Sequence, residues 1–218
     1  MPRPSTRPVS LATAPALPEP LAELTAQGDI RRYRKNALLI QEGDQGDTLF
    51  IIVSGRLRAF SMGEKDREIT YGVYGPGEYI GEMSLDGGPR SASVMTLEAM
   101  RCVLLTRQSL IEHIAAQPEF AFELIERVIR RARLATQSAR SMALLDVYGR
   151  LVQLLESLAV TLLDGSRVIE ERITHAEIAA RVGCSREMVS RLMKDLEAGH
   201  FVERSGGALS LRHLPAHW

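Results

Sequence analysis

The stretch Thr174–Lys194, which reads THAEIAARVGCSREMVSRLMK, constrains the fold of this chain more than any other segment. Two short runs with helical periodicity flank one glycine, Gly183, a residue type that ends a helix and turns the chain. Thr174 with Glu177 three residues later is the capping-box pattern, and Ser185 suits the start of a second helix. The spacing predicts helices over 174–181 and from 186 to about 198.

A hairpin pattern follows the second helix. The β-type runs Phe201–Arg204 and Ala208–Leu211 flank the turn Ser205-Gly206-Gly207. Helix, turn, helix and hairpin together predict a winged helix-turn-helix, whose second helix meets base edges in the major groove of DNA. We therefore expect double-stranded DNA as a partner.

The second helix carries side chains suited to base edges and to phosphates. An arginine fork matches O6 and N7 of guanine, and a glutamate accepts from the N4 amine of cytosine. Hydroxyls and amides at helix starts suit phosphates. An exposed Glu187–Arg191 salt pair is the alternative, but the preceding helix, the turn and the wing favour DNA. The residues expected to contact DNA are Thr174, Ser185, Arg186, Glu187, Arg191 and Lys194.

Composition narrows the remaining function classes. Lys plus Arg and Asp plus Glu both number 27, so a nucleic-acid surface must be a local patch. The two cysteines, Cys102 and Cys184, are too few for an iron–sulfur cluster and are expected to be reduced thiols. No apolar run approaches the ~20 residues of a membrane span, and the first residues lack the apolar core of a signal peptide. We expect a cytoplasmic protein without membrane contact.

Residues 33–106 alternate between short β-type runs and turns. Gly75-Pro76-Gly77 and Gly87-Gly88-Pro89 are strong turn signals, and evenly spaced strands of this kind predict an antiparallel sandwich or jelly roll. An enzyme on such a fold would need clustered metal ligands, but no histidine occurs from Ile30 to Arg107. We therefore expect no catalytic site, metal or haem. The expected strands cover 37–41, 49–53, 56–61, 68–73 and 100–106.

Helical periodicity starts near Gln108. A short helix over 109–116 precedes a long one over 119–143, which one small β domain cannot cover. Its apolar stripe predicts the seam of a homodimer, with packing on its own domain as the alternative. Asp146 is expected at a joint, as the cap of a helix from 147 to about 162, and Glu170–Ile173 fits a short strand. The stripe consists of Phe122, Ile125, Ile129, Ala132, Ala139 and Met142.

The expected fold class is α+β. Six of the ten prolines lie within the first 20 residues, which predicts a disordered tail, followed by a short helix over 21–27. The expected divisions are the tail over 1–20, an N-terminal antiparallel β-roll of jelly-roll type over 21–118, a long dimerisation helix over 119–145 and a C-terminal winged helix-turn-helix domain over 146–218.

An anion pocket is predicted where two short motifs flank a loop. Gly81-Glu82 and Arg90-Ser91 lie on either side of the 86–89 loop. An arginine followed by a hydroxyl offers donors for one phosphate diester, and Glu82 offers an acceptor for a ribose hydroxyl. The alternative is an ordinary Glu82–Arg90 salt bridge beside a hairpin.

Three co-linear motifs resemble those of one bacterial family. Gly77–Glu82 followed by Arg90–Ala92 resembles a cyclic-nucleotide phosphate cassette, Ile178–Leu196 resembles the family's helix-turn-helix, and Ala143–Val147 resembles its hinge. Over about 21–218 the chain is thus similar to the cyclic-AMP receptor protein (catabolite activator) and fumarate–nitrate regulator superfamily of transcription regulators. The β-roll is then expected to be of the cyclic-nucleotide-binding type.

The resemblance implies a role for each pocket residue. Glu82 would hold the ribose hydroxyl, and Arg90 and Ser91 the cyclic phosphate. The family holds adenine with a Thr-Ser pair on the long helix, where this chain has Ala135-Thr136. Thr136 keeps one hydroxyl, whereas Ala135 removes the other, at a cost of about 0.5–1.5 kcal/mol. The implied pocket residues are Ile80, Gly81, Glu82, Met83, Arg90, Ser91, Ala92 and Thr136.

The resemblance also implies a mechanism. In a homodimer, cyclic AMP or a related cyclic nucleotide would move the winged domains about Asp146, so that both recognition helices fit a palindromic TGTGA-like site. Met188 stands where the receptor has a threonine, which would alter one position of that site. RNA polymerase is an implied further partner, and no covalent or metal cofactor is implied. A regulator that is independent of ligand, or that responds to a cyclic dinucleotide, remains open.

Overall fold

The structure is a computed structural model that describes Leu24, Thr25 and residues 28–63, 68–170, 172–205 and 208–215. The expected tail over 1–20, most of the expected helix over 21–27 and the Gly206-Gly207 turn lie outside the described residues. Leu24 is helical and fully buried.

The described elements confirm the α+β fold, with a β-rich N-terminal part, a long helix and a C-terminal helix-turn-helix. The strands are β1 Asp29–Tyr33, β2 Leu38–Ile40, β3 Leu49–Ser54, β4 Leu57–Met62, β5 Glu68–Tyr74, β6 Tyr79–Ile80, β7 Ser93–Thr96, β8 Met100–Leu105, β9 Val160–Thr161, β10 Arg167–Ile169, β11 Val202–Ser205 and β12 Ala208–Leu211. The helices are α1 Arg107–Ala116, α2 Glu119–Leu144, α3 Val147–Leu158, α4 His175–Val182 and α5 Arg186–Ala198.

The chain divides into two compact units. The first comprises the residues up to Ala59 together with Val73–Ala121, and the second comprises Phe60–Gly72 together with the residues from Phe122 onward. No helix in the described part is long and apolar enough to cross a membrane.

Two four-stranded sheets form the β-roll. One has the strand order β1-β8-β3-β6 and the other β2-β7-β4-β5. β8 pairs antiparallel with both β1 and β3, so β3 lies inside its sheet and its residues from Leu49 to Val53 are all buried. Side chains from both sheets form one apolar core, since buried apolar residues exclude water from the space that they share. This core contains Ile40, Phe50, Ile52, Leu57, Ala59, Ile80, Val94, Met100 and Cys102.

Three strands of the β-roll carry no clear strand pattern in the sequence. β1 reads DIRRY and is mostly exposed, because it pairs with β8 alone and lies at the edge of its sheet. β6 has only two residues, and β7, SVMT, is short and has a polar residue at each end. Their partners, and not their own composition, hold these segments extended.

Two expected elements after the long helix are corrected. The helix expected to reach about 162 ends at Leu158, because the chain then extends into β9, which pairs with β10. The strand expected at Glu170–Ile173 is wrong: β10 covers Arg167–Ile169, where Ile169 pairs with Leu209 of β12 and is fully buried. Pairing with β9 on one side and β12 on the other therefore determined which residues form β10.

The C-terminal unit builds its own core beneath the helix-turn-helix. Its sheet has the order β11-β12-β10-β9. One face of α4 and one face of α5 are buried against α3 and this sheet, which positions the other face of α5 for solvent. The buried core residues are Tyr148, Leu151, Leu155, Ile169, Ile178, Ala179, Val182, Val189, Met193, Leu196, Val202, Leu209, Leu211 and Leu214.

The long helix α2 leaves its apolar stripe exposed in the single chain. Among the described side chains of α2, Phe120 is buried, whereas Phe122 and Ile125 are 64% and 53% exposed. All six residues of the stripe expected from the sequence are exposed. An apolar stripe of this length in contact with water is typical of a helix that packs against a partner.

Candidate functional site

Arg90 is the centre of the first candidate site. Its side chain is only 8% exposed, and its Nη1 donates to the carbonyl oxygen of Gly81 at 3.0 Å and to Ser84 Oγ at 2.8 Å. Its Nη2 donates to the carbonyl oxygen of Thr48 at 3.0 Å. Three of the five guanidinium N–H groups are thus used within the described part of the chain, which leaves Nε–H and one Nη2–H for a ligand.

The backbone around Arg90 is shaped by glycine at two positions. Gly81 adopts a φ of 100°, and a Cβ there would lie 2.5 Å from the carbonyl oxygen of Thr48 and 2.8 Å from Arg90 Nη1. A Cβ at Gly46 would lie 2.9 Å from Arg90 Nη2. Glycine at both positions therefore lets the loops close around the guanidinium.

Nearby carboxylates oppose the effect of burial on the pKa of Arg90. Burial lowers the pKa of Arg90 below its ordinary value, and the carboxylates of Asp47 and Glu82 raise it. A guanidinium stays protonated in proteins, so the site keeps a buried positive charge. Glu82 is itself 8% exposed and lies at the start of the 3-10 turn that carries Ser84.

A cleft of about 310 Å³ is lined by residues from the loops around Arg90. Two of its lining residues, Gly46 and Ser84, adjoin Arg90. Its volume is at the lower end of the range for small-molecule sites. The lining residues are Gln45, Gly46, Asp47, Ser84, Gly87 and Gly88, and we call this the Arg90 cleft.

The other pocket residues expected from the sequence differ in exposure. Ser91 is exposed and Ala92 half-buried, whereas Ile80 is buried in the core. Met83 is 57% exposed, so it faces solvent in the single chain. The structure brings Arg90 together with Gly81 directly, and adds Thr48 and Ser84, which the sequence did not single out.

The adenine-reading positions expected from the resemblance lie on α2. Ala135 and Thr136 are both exposed. Thr136 Oγ1 donates to the carbonyl oxygen of Ala132 at 2.9 Å, which leaves its lone pairs available to a donor. Thr136 also lines a surface concavity of about 430 Å³ along α2, with Ile129, Ala132, Arg133 and Gln137.

The second candidate site is the helix-turn-helix, whose ends are capped as the sequence predicts. Thr174 caps α4: Glu177 N donates to Thr174 Oγ1 at 3.2 Å, and Thr174 N donates to Glu177 Oε2 at 2.7 Å. Gly183, with a φ of 74°, ends α4 in the left-handed conformation. Ser185 Oγ caps α5 by accepting from Met188 N at 3.2 Å. These caps fix where α4 begins and ends and where α5 begins.

The α5 side chains that are expected to contact DNA lie on its solvent face. Arg186, Glu187, Arg191 and Lys194 are exposed, whereas Val189 on the opposite face is fully buried. The pKa of Glu187 is lowered, mainly by a hydrogen bond from its own backbone and also by the Ser185 hydroxyl and the Arg186 charge. Glu187 is therefore an ionised acceptor at neutral pH, as the contact with a cytosine amine requires.

Asp146 lies where the sequence places the joint. Its carboxylate accepts from Gly149 N at 2.7 Å and caps α3. Arg150, which the sequence did not single out, extends this joint: its Nη1 donates to the carbonyl oxygen of Leu145 and its Nε to that of Val182, at 2.8 and 2.9 Å. Arg150 thus connects the joint to the end of α4, over a separation that the sequence pattern cannot show.

Other reactive groups are sparse in the described part. Both cysteines are outside any disulfide, and burial raises the pKa of Cys102 to about 12 and the pKa of Cys184 above its ordinary value. Such thiols are poor nucleophiles and metal ligands. Among the described residues, no three His, Cys, Asp or Glu side chains form a group that could hold a metal ion.

The cap of α4 supports a stability prediction. Thr174→Ala removes the side-chain acceptor at the helix start and should destabilise α4 by about 1 kcal/mol. Amides in α4 should then exchange with deuterium roughly fivefold faster. Thr174→Ser keeps the hydroxyl and serves as the control. Equal exchange in the alanine and serine variants would contradict a stabilising cap.

Comparison with known proteins agrees with this arrangement. A family model described as the cyclic nucleotide-binding domain matches residues 30–117, and one described as the Crp-like helix-turn-helix domain matches residues 149–216. The CRP-like cAMP-activated global transcriptional regulator of Mycobacterium tuberculosis is 31% identical over 193 residues, which cover 87% of this chain and 86% of that protein. The chain belongs to the family of Crp-like transcription regulators.

Two further proteins are similar to this chain over most of its length. The cAMP-activated global transcriptional regulator CRP of Salmonella typhimurium is 31% identical over 184 residues, 81% of this chain and 86% of that protein. Among solved structures, the c-di-GMP responsive global regulator CLP of Xanthomonas campestris has a TM-score of 0.78 and 25% identity, and covers 90% of this chain and 99% of its own. The Crp-like architecture is thus shared over most of the chain.

Membership in the Crp-like family relates the two candidate sites to two domains. Arg90 and its cleft lie within the cyclic nucleotide-binding domain, and α4 and α5 lie within the helix-turn-helix domain. Thr136 and Asp146 lie outside both matched segments.

Proposed function

We propose that this protein is a homodimeric transcription regulator whose binding to a palindromic DNA site is gated by cyclic AMP or a related cyclic nucleotide. The carrying observation is that Arg90 holds a buried positive charge next to Gly46 and Ser84, which line a cleft, in a chain that also bears a capped helix, α5, with exposed charged side chains. Neither site resembles catalytic machinery, so the proposal is a regulator and not an enzyme.

The pocket residues take complementary roles in this proposal. The remaining N–H groups of Arg90 and the Ser91 hydroxyl bind the cyclic phosphate, and Glu82 accepts from the ribose hydroxyl. Ile80, Gly81, Met83 and Ala92 are the further residues proposed to surround the nucleotide. Thr136 supplies the hydroxyl for the base. Because Ala135 has no hydroxyl, base selectivity is expected to be weaker than with a Thr-Ser pair.

A homodimer accounts for the exposed stripe of α2. A single chain that exposes Phe122, Ile125 and Ile129 along one long helix lowers its free energy when a second copy covers them. The proposed divisions are accordingly the β-roll over 21–118, the dimerisation helix over 119–145 and the DNA-binding domain over 146–218. Asp146 and its contact with Gly149 mark the joint about which the DNA-binding domains move.

The exposed face of α5 supports the proposed DNA-reading role. Arg186, Glu187 and Arg191 read base edges of a TGTGA-like half-site, and Thr174, Ser185 and Lys194 contact phosphates. Two such helices in a dimer would enter successive major grooves ~34 Å apart. The ligand can gate this step only by binding the DNA-competent state more tightly. RNA polymerase is the proposed partner of the DNA-bound dimer.

The proposal is tested by DNA binding of the purified full-length chain with different effectors. A binding selection defines the preferred site, and fluorescence anisotropy then measures affinity without ligand and with cyclic AMP, cyclic GMP or cyclic di-GMP. Cyclic AMP is expected to raise affinity about 5–150-fold, the usual range of coupling between sites.

The effector arms separate the alternatives. Equal affinity in every arm would show a regulator that is independent of ligand. A response to cyclic di-GMP alone would replace the proposed effector with the class named for the Xanthomonas campestris relative. A selection that enriches no sequence would contradict the DNA-reading role of α5.

A further inference from the structure

A chain of four side chains connects α4, α5 and the wing. His175, the first residue of α4, has its Nδ1 2.9 Å from Ser190 Oγ on α5 and its Nε2 3.1 Å from Arg204 Nη2 on β11. Arg204 Nε donates in turn to Glu197 Oε1 at 3.1 Å. We call this set, Ser190, His175, Arg204 and Glu197, the wing bridge.

The partners of His175 determine its protonation state. A guanidinium can only donate, so Nε2 must offer a lone pair to Arg204. The ring is then neutral with its proton on Nδ1, and it donates that proton to the Ser190 hydroxyl. A second proton on Nε2 would remove the acceptor and place two cations in contact.

The charges that face His175 favour the neutral ring. Burial lowers its pKa most, Arg204 from the wing and Arg186 from α5 lower it further, and Glu197 from α5 raises it. The pKa of His175 therefore lies below its ordinary value of 6.5. A histidine with a lowered pKa contributes its full stabilisation of the bridged state at pH values above the ordinary pKa. That stabilisation is lost as the pH falls through the lowered pKa.

The wing bridge acts on the elements that are proposed to meet DNA. Ser190 immediately precedes Arg191, and it lies four residues after Arg186 on α5. Arg204 lies on β11, whose Val202 is buried in the same core as Val189 of α5. His175 therefore sits where a small change would alter the angle between the recognition helix and the wing.

We propose that neutral His175 is a positioning residue that holds the wing in register with the recognition helix, so that its protonation reduces discrimination between specific and non-specific DNA. This inference rests on the proposed function, because discrimination requires that α5 reads bases. Lost discrimination, and not lost total affinity, is the expected signature, since a protonated ring adds a positive charge that attracts any DNA.

The first test is a ring titration followed by NMR in the full-length chain, with the His175→Gln spectrum used for assignment. In the parent protein the midpoint of His175 should lie below the ordinary value. Arg204→Met removes both the donor and a positive charge, and should raise that midpoint. Identical midpoints in the two proteins would overturn the bridge, and this readout requires no DNA.

The second test measures the ratio of affinities for the selected site and for unrelated DNA, with saturating cyclic AMP, at about pH 7.5 and at about one pH unit below the His175 midpoint found by NMR. In the parent protein the ratio should fall roughly tenfold on acidification, the equivalent of one hydrogen bond to a charged group. His175→Gln keeps an uncharged acceptor for Arg204, so its ratio should be high at both pH values. His175→Ala should have a low ratio at both.

The control is His213→Gln, which changes an exposed histidine of the same unit. Its ratio of affinities should fall on acidification as that of the parent does. A parent ratio that does not change with pH, or a His175→Gln variant that loses its ratio on acidification as the parent does, would overturn the role of His175. A parent protein with no preference at about pH 7.5 would instead contradict the proposed function, and the ring titration still decides the bridge.

Discussion

Arg90→Ala is expected to weaken cyclic AMP binding by about 100-fold or more. The contacts of the guanidinium within the described chain leave Nε–H and one Nη2–H for a ligand, and two charge-assisted hydrogen bonds to a phosphate are together worth at least ~3 kcal/mol. Isothermal titration calorimetry of the full-length chain with cyclic AMP measures the loss. Binding by the variant as tight as that of the parent would remove Arg90 from the site.

The matched control is Arg107→Ala. Arg107 lies just beyond β8, and its Nε donates to the carbonyl oxygen of Leu85 in the neighbouring loop, but it is exposed. This variant should bind cyclic AMP within about twofold of the parent, because a single exposed hydrogen bond contributes little. A similar loss in both variants would indicate general disturbance of the 81–90 loop instead of a lost phosphate contact. Circular dichroism of Arg90→Ala checks that the β-roll remains folded.

Arg191→Ala is expected to relax the preference for one base pair of the half-site by roughly 10–100-fold, the value of a bidentate arginine contact with guanine. Arg191 is exposed on α5, while Val189 and Met193 on the opposite face are buried, so truncation should leave the helix in place. A binding selection on randomised half-sites reads the preference at each position. An unchanged sequence profile would show that Arg191 does not read a base.

Lys194→Ala is the matched control on the same helix. Lys194 is expected to contact a phosphate, so its loss should weaken binding to all sequences alike and reduce the slope of log affinity against log salt by about 1. A preference altered at one position in Lys194→Ala, with none in Arg191→Ala, would exchange the two assignments.

The sequence predicted the helix-turn-helix closely, because its signals are local. Thr174 and Ser185 cap their helices through bonds to residues three positions on, and Gly183 supplies the left-handed turn. Each signal acts within about one helical turn, so no knowledge of the remaining fold was needed. The α5 helix accordingly begins at Arg186 and ends at Ala198 as expected.

Strands were less predictable, since their partners are distant. β1 is held by β8, which lies about seventy residues away, and its sequence DIRRY has no apolar alternation. β10 was displaced by a few residues because pairing with both β9 and β12 selected Arg167–Ile169. Strand propensity gives no information about which of two adjacent segments has neighbours on both sides.

The candidate pocket also combines features that are visible in the sequence with contacts between distant residues that are not. The Arg90-Ser91 motif and the glycine at position 81 are visible in the sequence, but the contact of Arg90 with Thr48 joins residues 42 positions apart. The wing bridge likewise connects His175 to Arg204 across 29 positions. Such pairs arise only when separate loops and elements close on one another.

The sequence by itself determined the capped helix pair, the residues that α5 presents and the arginine at the centre of the candidate anion site. Those features follow from backbone preferences and side-chain spacing over one or two turns. Only the tertiary structure decided which carbonyl oxygens surround Arg90, that the apolar stripe of α2 is exposed in one chain, and that His175 lies between Ser190 and Arg204. These depend on burial and on partners brought together by packing, and burial is a property of the folded chain and not of any residue in it.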